Sequence, residues 1–181
     1  MQIAMALAIL ILATSAAAGN PTAPASGSAF ARLSGLSGQA FDIAFLRSLV
    51  PVDEEAVEMA MTATLYADHT DLLRWNQDFV ERENGQVRQM LSILQAMGAS
   101  PTERRAGVTT KSVKTLRALR GAALERAYLP MLAAQLDQTS RLARLASDKS
   151  GRPEVRALAR QALTDGSNAS AVLRGWLKTW Y

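Results

Sequence analysis

Slid along itself by 83 residues, the sequence matches itself without a gap from 33–98 to 116–181. Leu33, Leu36 and Gly38 fall on Leu116, Leu119 and Gly121. Ala44, Leu46 and Leu49 fall on Ala127, Leu129 and Leu132, Ala60 and Ala63 on Ala143 and Ala146, and Leu94 on Leu177. Apolar character is kept where identity is not, as in Phe45 with Tyr128, Met59 with Leu142, and Leu72 with Val155. An internal duplication narrows the folds open to a chain. Each copy is a unit that cannot hide its apolar face alone and must use the other copy to do so.

Each copy reads as a helical hairpin. Phe45, Leu49, Val52, Ala56, Met59 and Ala63 recur at three- and four-residue steps, the stripe of a helix over 39–66 that Pro51 should bend. Ala67-Asp68-His69 is the turn, and a second helix over 71–97 points Leu72, Phe79, Met90, Leu94 and Met97 inward. The second copy predicts a helix over 111–147 carrying Tyr128, Leu132, Leu142 and Ala146, with Pro130 as its kink. A turn at Ser150-Gly151-Arg152-Pro153 follows, then a helix from Glu154 to Trp180 weakened at Gly166-Ser167-Asn168. The expected fold is all-α, a four-helix bundle of two tandem hairpins over 33–98 and 116–181 with a connector over 99–115.

Ahead of the repeat, residues 1–18 (MQIAMALAILILATSAAA) form an uncharged apolar run closed by the small residues Ala16 and Ala18. This reads as a secretory signal peptide cut before Gly19. An uncleaved membrane helix is the other reading of the same run. Residues 19–32 read as a flexible linker built on NPTAPASGS. The chain has no cysteine, so thiol catalysis, thiolate metal sites and disulfides are excluded.

A formal charge of +4 conceals an uneven split. Residues 33–98 carry ten acids and four bases, whereas 99–181 carry fifteen bases and six acids. Such halves either dock on each other, a second copy or a protein partner through opposite charge, or simply keep separate solvated surfaces. The basic residues lack interleaved aromatics, which argues against nucleic acid as a partner.

Phe41, Asp42, Phe45, Pro51, Ala56, Met59 and Ala60 spell an aromatic-Asp-x-x-Phe start, a proline, then Ala-x-x-Met-Ala. Glu83, Gln86, Val87 and Met90 follow, and the chain closes on Trp176-Leu177-Lys178-Thr179-Trp180-Tyr181. In these motifs it resembles the domain of unknown function 305 (DUF305) family of exported bacterial proteins, over about 33–181, with the family's Gln and Glu exchanged at 83 and 86. The resemblance implies a ferritin-like bundle, periplasmic or secreted, with kinship to copper- and silver-handling proteins. It also implies a ligand set of adjacent His-His facing Met, imidazole nitrogen with soft thioether sulfur, which suits Cu(I), Ag(I) or Cu(II). Here the His-His places hold Val52 and Asp53 in the first copy and Gln135 and Leu136 in the second. Met59, Met90 and Met131 remain at or near family Met positions and are the candidate metal ligands, although Met at helical spacing is more often core filler than ligand.

The remaining polar residues give weaker signals. His69, the single histidine, reads as a solvated turn residue, and Asp53, Glu54, Glu55 and Glu58 read as a solvated acidic face. Glu83, Gln86, Gln135 and Thr139 lie near the inward stripes and either meet in a buried polar layer or are rotated outward. Trp176 reads as core and Trp180 with Tyr181 as a contact patch. No catalytic constellation can be assembled around one turn histidine, so an enzyme is not expected. The sequence therefore points to an exported helical bundle related to copper- and silver-binding proteins, with a degenerate or weakened metal site. A copper or silver ion is its one candidate cofactor, and no membrane association is expected after signal cleavage. The alternative is a non-metal structural or protein-interaction bundle of the cell envelope.

Overall fold

The computed structural model describes residues 25–100 and 109–181. The expected signal peptide lies outside the described residues, as do the start of the linker and part of the connector. Six helices make up the fold: α1 (Ala25–Ser34), α2 (Gly38–Tyr66), α3 (Thr70–Ala96), α4 (Lys111–Arg117), α5 (Gly121–Lys149) and α6 (Pro153–Trp180). No strand occurs among the described residues.

The helices keep the spacing of the sequence repeat. Both ends of α2 and α5, and the starts of α3 and α6, stand 83 residues apart. Two expectations need correction. The single helix read over 111–147 is two, α4 and α5, and residues 25–32 of the expected linker belong to helix α1. One corner explains both. Gly38 and Gly121 have φ of 56° and 51°, left-handed values that a side chain resists, and each starts a long helix at an angle to the short one before it. Leu33 and Leu116 sit buried just before this corner and anchor α1 and α4. The weak point read at Gly166 is absent, since α6 is continuous there. A Cβ on Gly166 would lie 2.7 Å from Ser140 Oγ, so the glycine lets α5 and α6 approach closely.

Within each copy the two long helices pack along their length, α2 on α3 and α5 on α6. Between copies α2 meets α5, whereas α3 and α6 touch only sparingly. The turn after α2 lies beside the start of α5, and the end of α5 lies beside the α1–α2 corner, so α2 and α5 run antiparallel. The interior is divided in two. One apolar cluster holds Met59, Phe79, Tyr128, Leu129 and Leu132, and the other Phe41, Phe45, Leu49, Met90 and Leu158. Each such side chain, fully buried, contributes on the order of 1.5–3 kcal/mol. No described helix is long and apolar enough to cross a membrane.

Candidate functional site: a polar layer across the centre

Between the two clusters, near the midpoints of the long helices, the interior turns polar. Asp53 of α2 is 3% exposed and Glu83 of α3 5%, so two carboxylates are buried here. Gln86 Nε2 donates to Asp53 Oδ2 at 3.0 Å. Gln135 Nε2, on α5, donates to the Val52 carbonyl oxygen at 2.6 Å. Thr139 is buried beside them on α5. Of the two readings open for Glu83, Gln86, Gln135 and Thr139, burial holds for Glu83 and Thr139, and the two glutamines are half-buried and bonded inward.

Burial sets the electrostatics of this layer. It raises Asp53 well above the usual carboxylate value, the neighbouring Glu83 raises it further, and the Gln86 amide only partly offsets this. Glu83 is pushed up to about 7, first by burial and also by Asp165, against the opposing pull of Arg82. Arg82 Nε lies 3.8 Å from Glu83 Oε1, too long for a hydrogen bond. Outside this pair, Arg82, Gln86, Gln161 and Asp165 line a cleft of about 260 Å³ between α3 and α6, where those helices part. The layer is thus an oxygen-rich interior in which burial raises both carboxylates, with a cleft on its α3–α6 side that Gln86 borders.

The acidic face read at 53–58 is corrected accordingly, because Asp53 is buried and Glu54, Glu55 and Glu58 are half-buried. Asp53 follows Leu49 by four residues and precedes Ala56 by three, so the helical period itself placed it inward.

A second polar cluster lies at the end of the molecule. Glu125, near the start of α5, is fully buried. Its Oε1 accepts from the backbone N–H groups of Asp68 (2.7 Å) and His69 (2.9 Å). Its Oε2 lies 2.5 Å from both His69 Nδ1 and the Tyr181 hydroxyl, each of which donates to it. Burial works against this carboxylate, but the Tyr181, His69 and Asp68 bonds together hold its pKa below the usual range. The Trp180 ring stacks on His69 at 3.9 Å and continues to Trp176 at 5.0 Å. His69 is therefore bonded and stacked instead of solvated, and Trp180 is half-buried as part of this clasp.

The candidate ligands are not brought together. Met59 is fully buried in one cluster and Met90 fully buried in the other, while Met131 is half-buried beside the first. Among the described residues no group of three or more His, Cys, Asp or Glu side chains is arranged to hold a metal ion.

The DUF305 family model, described as a domain of unknown function, matches residues 13–94. Over those residues, rather less than half of its length, the chain is similar to DUF305 proteins. Solved structures agree in fold. A DUF305 fragment from Deinococcus radiodurans is 21% identical, covers 76% of this chain and 95% of its own, and superposes with a TM-score of 0.68. CopM in its Cu(I)-bound form is 17% identical, covers 77% and 97%, and gives 0.69. A DUF305 protein from Streptomyces coelicolor is 18% identical, covers 73% and 89%, and gives 0.66. No curated protein matches the chain in sequence.

The central residues do not fit a soft metal ion. At the places that the resemblance assigns to His-His, Asp53 accepts from an amide and Gln135 spends its amide on the Val52 carbonyl, leaving hard oxygen donors and no imidazole. Neither oxygen donors nor thioethers split between two clusters suit Cu(I) or Ag(I).

Proposed function

We propose that the chain is an exported, non-catalytic bundle of ferritin-like four-helix design, descended from copper- and silver-binding bundles, whose central site has been reduced to a hydrogen-bonded polar layer with weak affinity for those ions. The likeness to CopM, seen with Cu(I), Cu(II) and silver, supports the ancestry. One observation carries the weakening: Gln135 and Asp53, at the ligand places, are bonded within the protein. Export rests on the apolar run at 1–18, and mass spectrometry of exported material should find Gly19 first.

Competition with a coloured chelator tests the metal reading. Wild type should fail to hold Cu(I) or Ag(I) against a sub-micromolar competitor, and a Val52→His, Asp53→His double variant should hold them better. Tight binding by wild type, lost in Met59→Leu and Met90→Leu, would refute the reading. The interaction-bundle alternative is favoured by Met61 and Leu65, 55% and 72% exposed on α2 beside the Glu58–Arg117 ion pair. Sedimentation of wild type against Leu65→Glu would reveal self-association through this face.

A further inference from the structure

Asp42 is 1% exposed, and among the described residues neither of its carboxylate oxygens has a hydrogen-bond partner. A buried carboxyl group without a partner is costly and calls for an explanation. The internal repeat supplies a comparison, because Asp42 stands one repeat before Glu125. Glu125 closes on the α2–α3 turn with three hydrogen bonds and takes a fourth from Tyr181. By the same relation the segment equivalent to that turn, and so the one expected opposite Asp42, is Ser150-Gly151-Arg152. The side chain of Lys149, just before that turn, confirms the placement by reaching the Leu33 and Ser34 carbonyl oxygens and the face of Phe41, 5.4 Å away.

Three features distinguish this second turn from the first, although its Ser150 is likewise packed inward at 4% exposure. Arg152 N–H, the counterpart of the His69 N–H that Glu125 holds, bonds instead to Ser150 Oγ at 3.2 Å. A Cβ on Gly121 would collide with the Asp68 carboxylate of the first turn, but a Cβ on Gly38 would meet nothing within 4 Å. The same is true of Gly151, which replaces Asp68 and carries no side chain to fill the gap. Asp is also one methylene shorter than Glu. The Arg152 guanidinium, which stands where the His69 ring does, is engaged by Glu154 at 2.6 Å, and Tyr181 has Gly98 as its counterpart.

We propose that the Ser150–Arg152 turn is a strap poised to close on Asp42, and that the structure shows its open position. Closure brings the Gly151 and Arg152 N–H groups onto the carboxylate, as Asp68 and His69 are brought onto Glu125. It also draws Lys149, and through it the α1 carbonyls, toward the second hairpin. The end of the molecule that carries α1 is thus adjustable, while the His69 end is fixed.

Amide hydrogen exchange read residue by residue by NMR tests this at fixed pH. In wild type the Gly151 and Arg152 amides should exchange faster than those of Asp68 and His69, with relaxation dispersion across 149–152. Asp42→Glu should slow them about tenfold, the worth of one hydrogen bond to a charged acceptor. Asp42→Asn, which keeps the shape, should abolish the dispersion. The reverse change, Glu125→Asp, should speed exchange at Asp68 and His69. Unchanged exchange at Gly151 in a folded Asp42→Glu protein, or dispersion that survives in Asp42→Asn, would overturn the proposal.

Discussion

Gln135 donates a hydrogen bond to the backbone of Val52, its own counterpart one repeat earlier. Two equivalent positions meet in this way only where the axis relating the copies passes between them. The bond therefore marks the centre of the duplication, and that centre coincides with the places the family resemblance assigns to metal ligands. Replacing Gln135 by Leu should remove about 1 kcal/mol of stability, the net worth of one amide hydrogen bond. Urea denaturation at constant m-value would measure it.

The buried carboxylates give a pH dependence with a definite sign. Glu83 titrates at about 7 in the folded protein against an ordinary value of 4.5, so between those values the folded state holds a proton that the unfolded state has lost. Stability from this group is fully present below pH 4.5 and is lost as pH rises through 7, at most on the order of 3 kcal/mol. The raised Asp53 acts in the same direction. Melting curves from pH 5 to 8 should show the decline, and Glu83→Gln should flatten it.

Glu125 behaves oppositely. Its pKa is lowered on folding, so its contribution is present at neutral pH and disappears as pH falls below the ordinary carboxylate value. Glu125→Ala leaves two backbone N–H groups, the His69 ring and the Tyr181 hydroxyl without their acceptor and should cost about 3 kcal/mol or more. Tyr181→Phe removes one donor and should cost about 1 kcal/mol. Denaturant titrations read by tryptophan fluorescence would rank the two, since Trp180 stacks on His69.

Tyr128 and Asn76 join the hairpins in the interior. The Tyr128 hydroxyl donates to Asn76 Oδ1 at 2.6 Å, and both residues are fully buried. Tyr128→Phe should cost about 1–2 kcal/mol because it strands the Asn76 oxygen. A double-mutant cycle with Asn76→Ala should return a coupling of about 1 kcal/mol, whereas additivity would show that the bond carries no stability.

Met59 and Met90 should behave as packing residues. Met59→Leu and Met90→Leu each conserve volume in a closed cluster and should cost under about 1.5 kcal/mol. Whatever copper or silver the protein takes up should be unaffected by either change, as measured by chelator competition.

The helical period located the long helices because their apolar stripes are unbroken. It failed at 118–120, where nothing in the stripe announces a corner and only the left-handed backbone of Gly121 makes one. The acids misled for a related reason. Asp53 stands four residues from buried Leu49 and three from buried Ala56, so the stripe included it, but carboxylates are ordinarily placed in solvent. Its burial depends on a partner from a distant helix, the Gln86 amide, as that of Glu125 depends on the Tyr181 hydroxyl. Those long-range pairings have no local signature. The clasp on His69 was hidden likewise, because its acceptor lies 56 residues away.

The division of the interior by the central layer has a mechanical consequence. With two dry compartments separated by hydrogen-bonded oxygens and amides, each half of the molecule can loosen or tighten without exposing the other's hydrocarbon. The layer serves as a bulkhead, and a disturbance that begins at the α1 corner should stop there before it reaches the tryptophans at the far end.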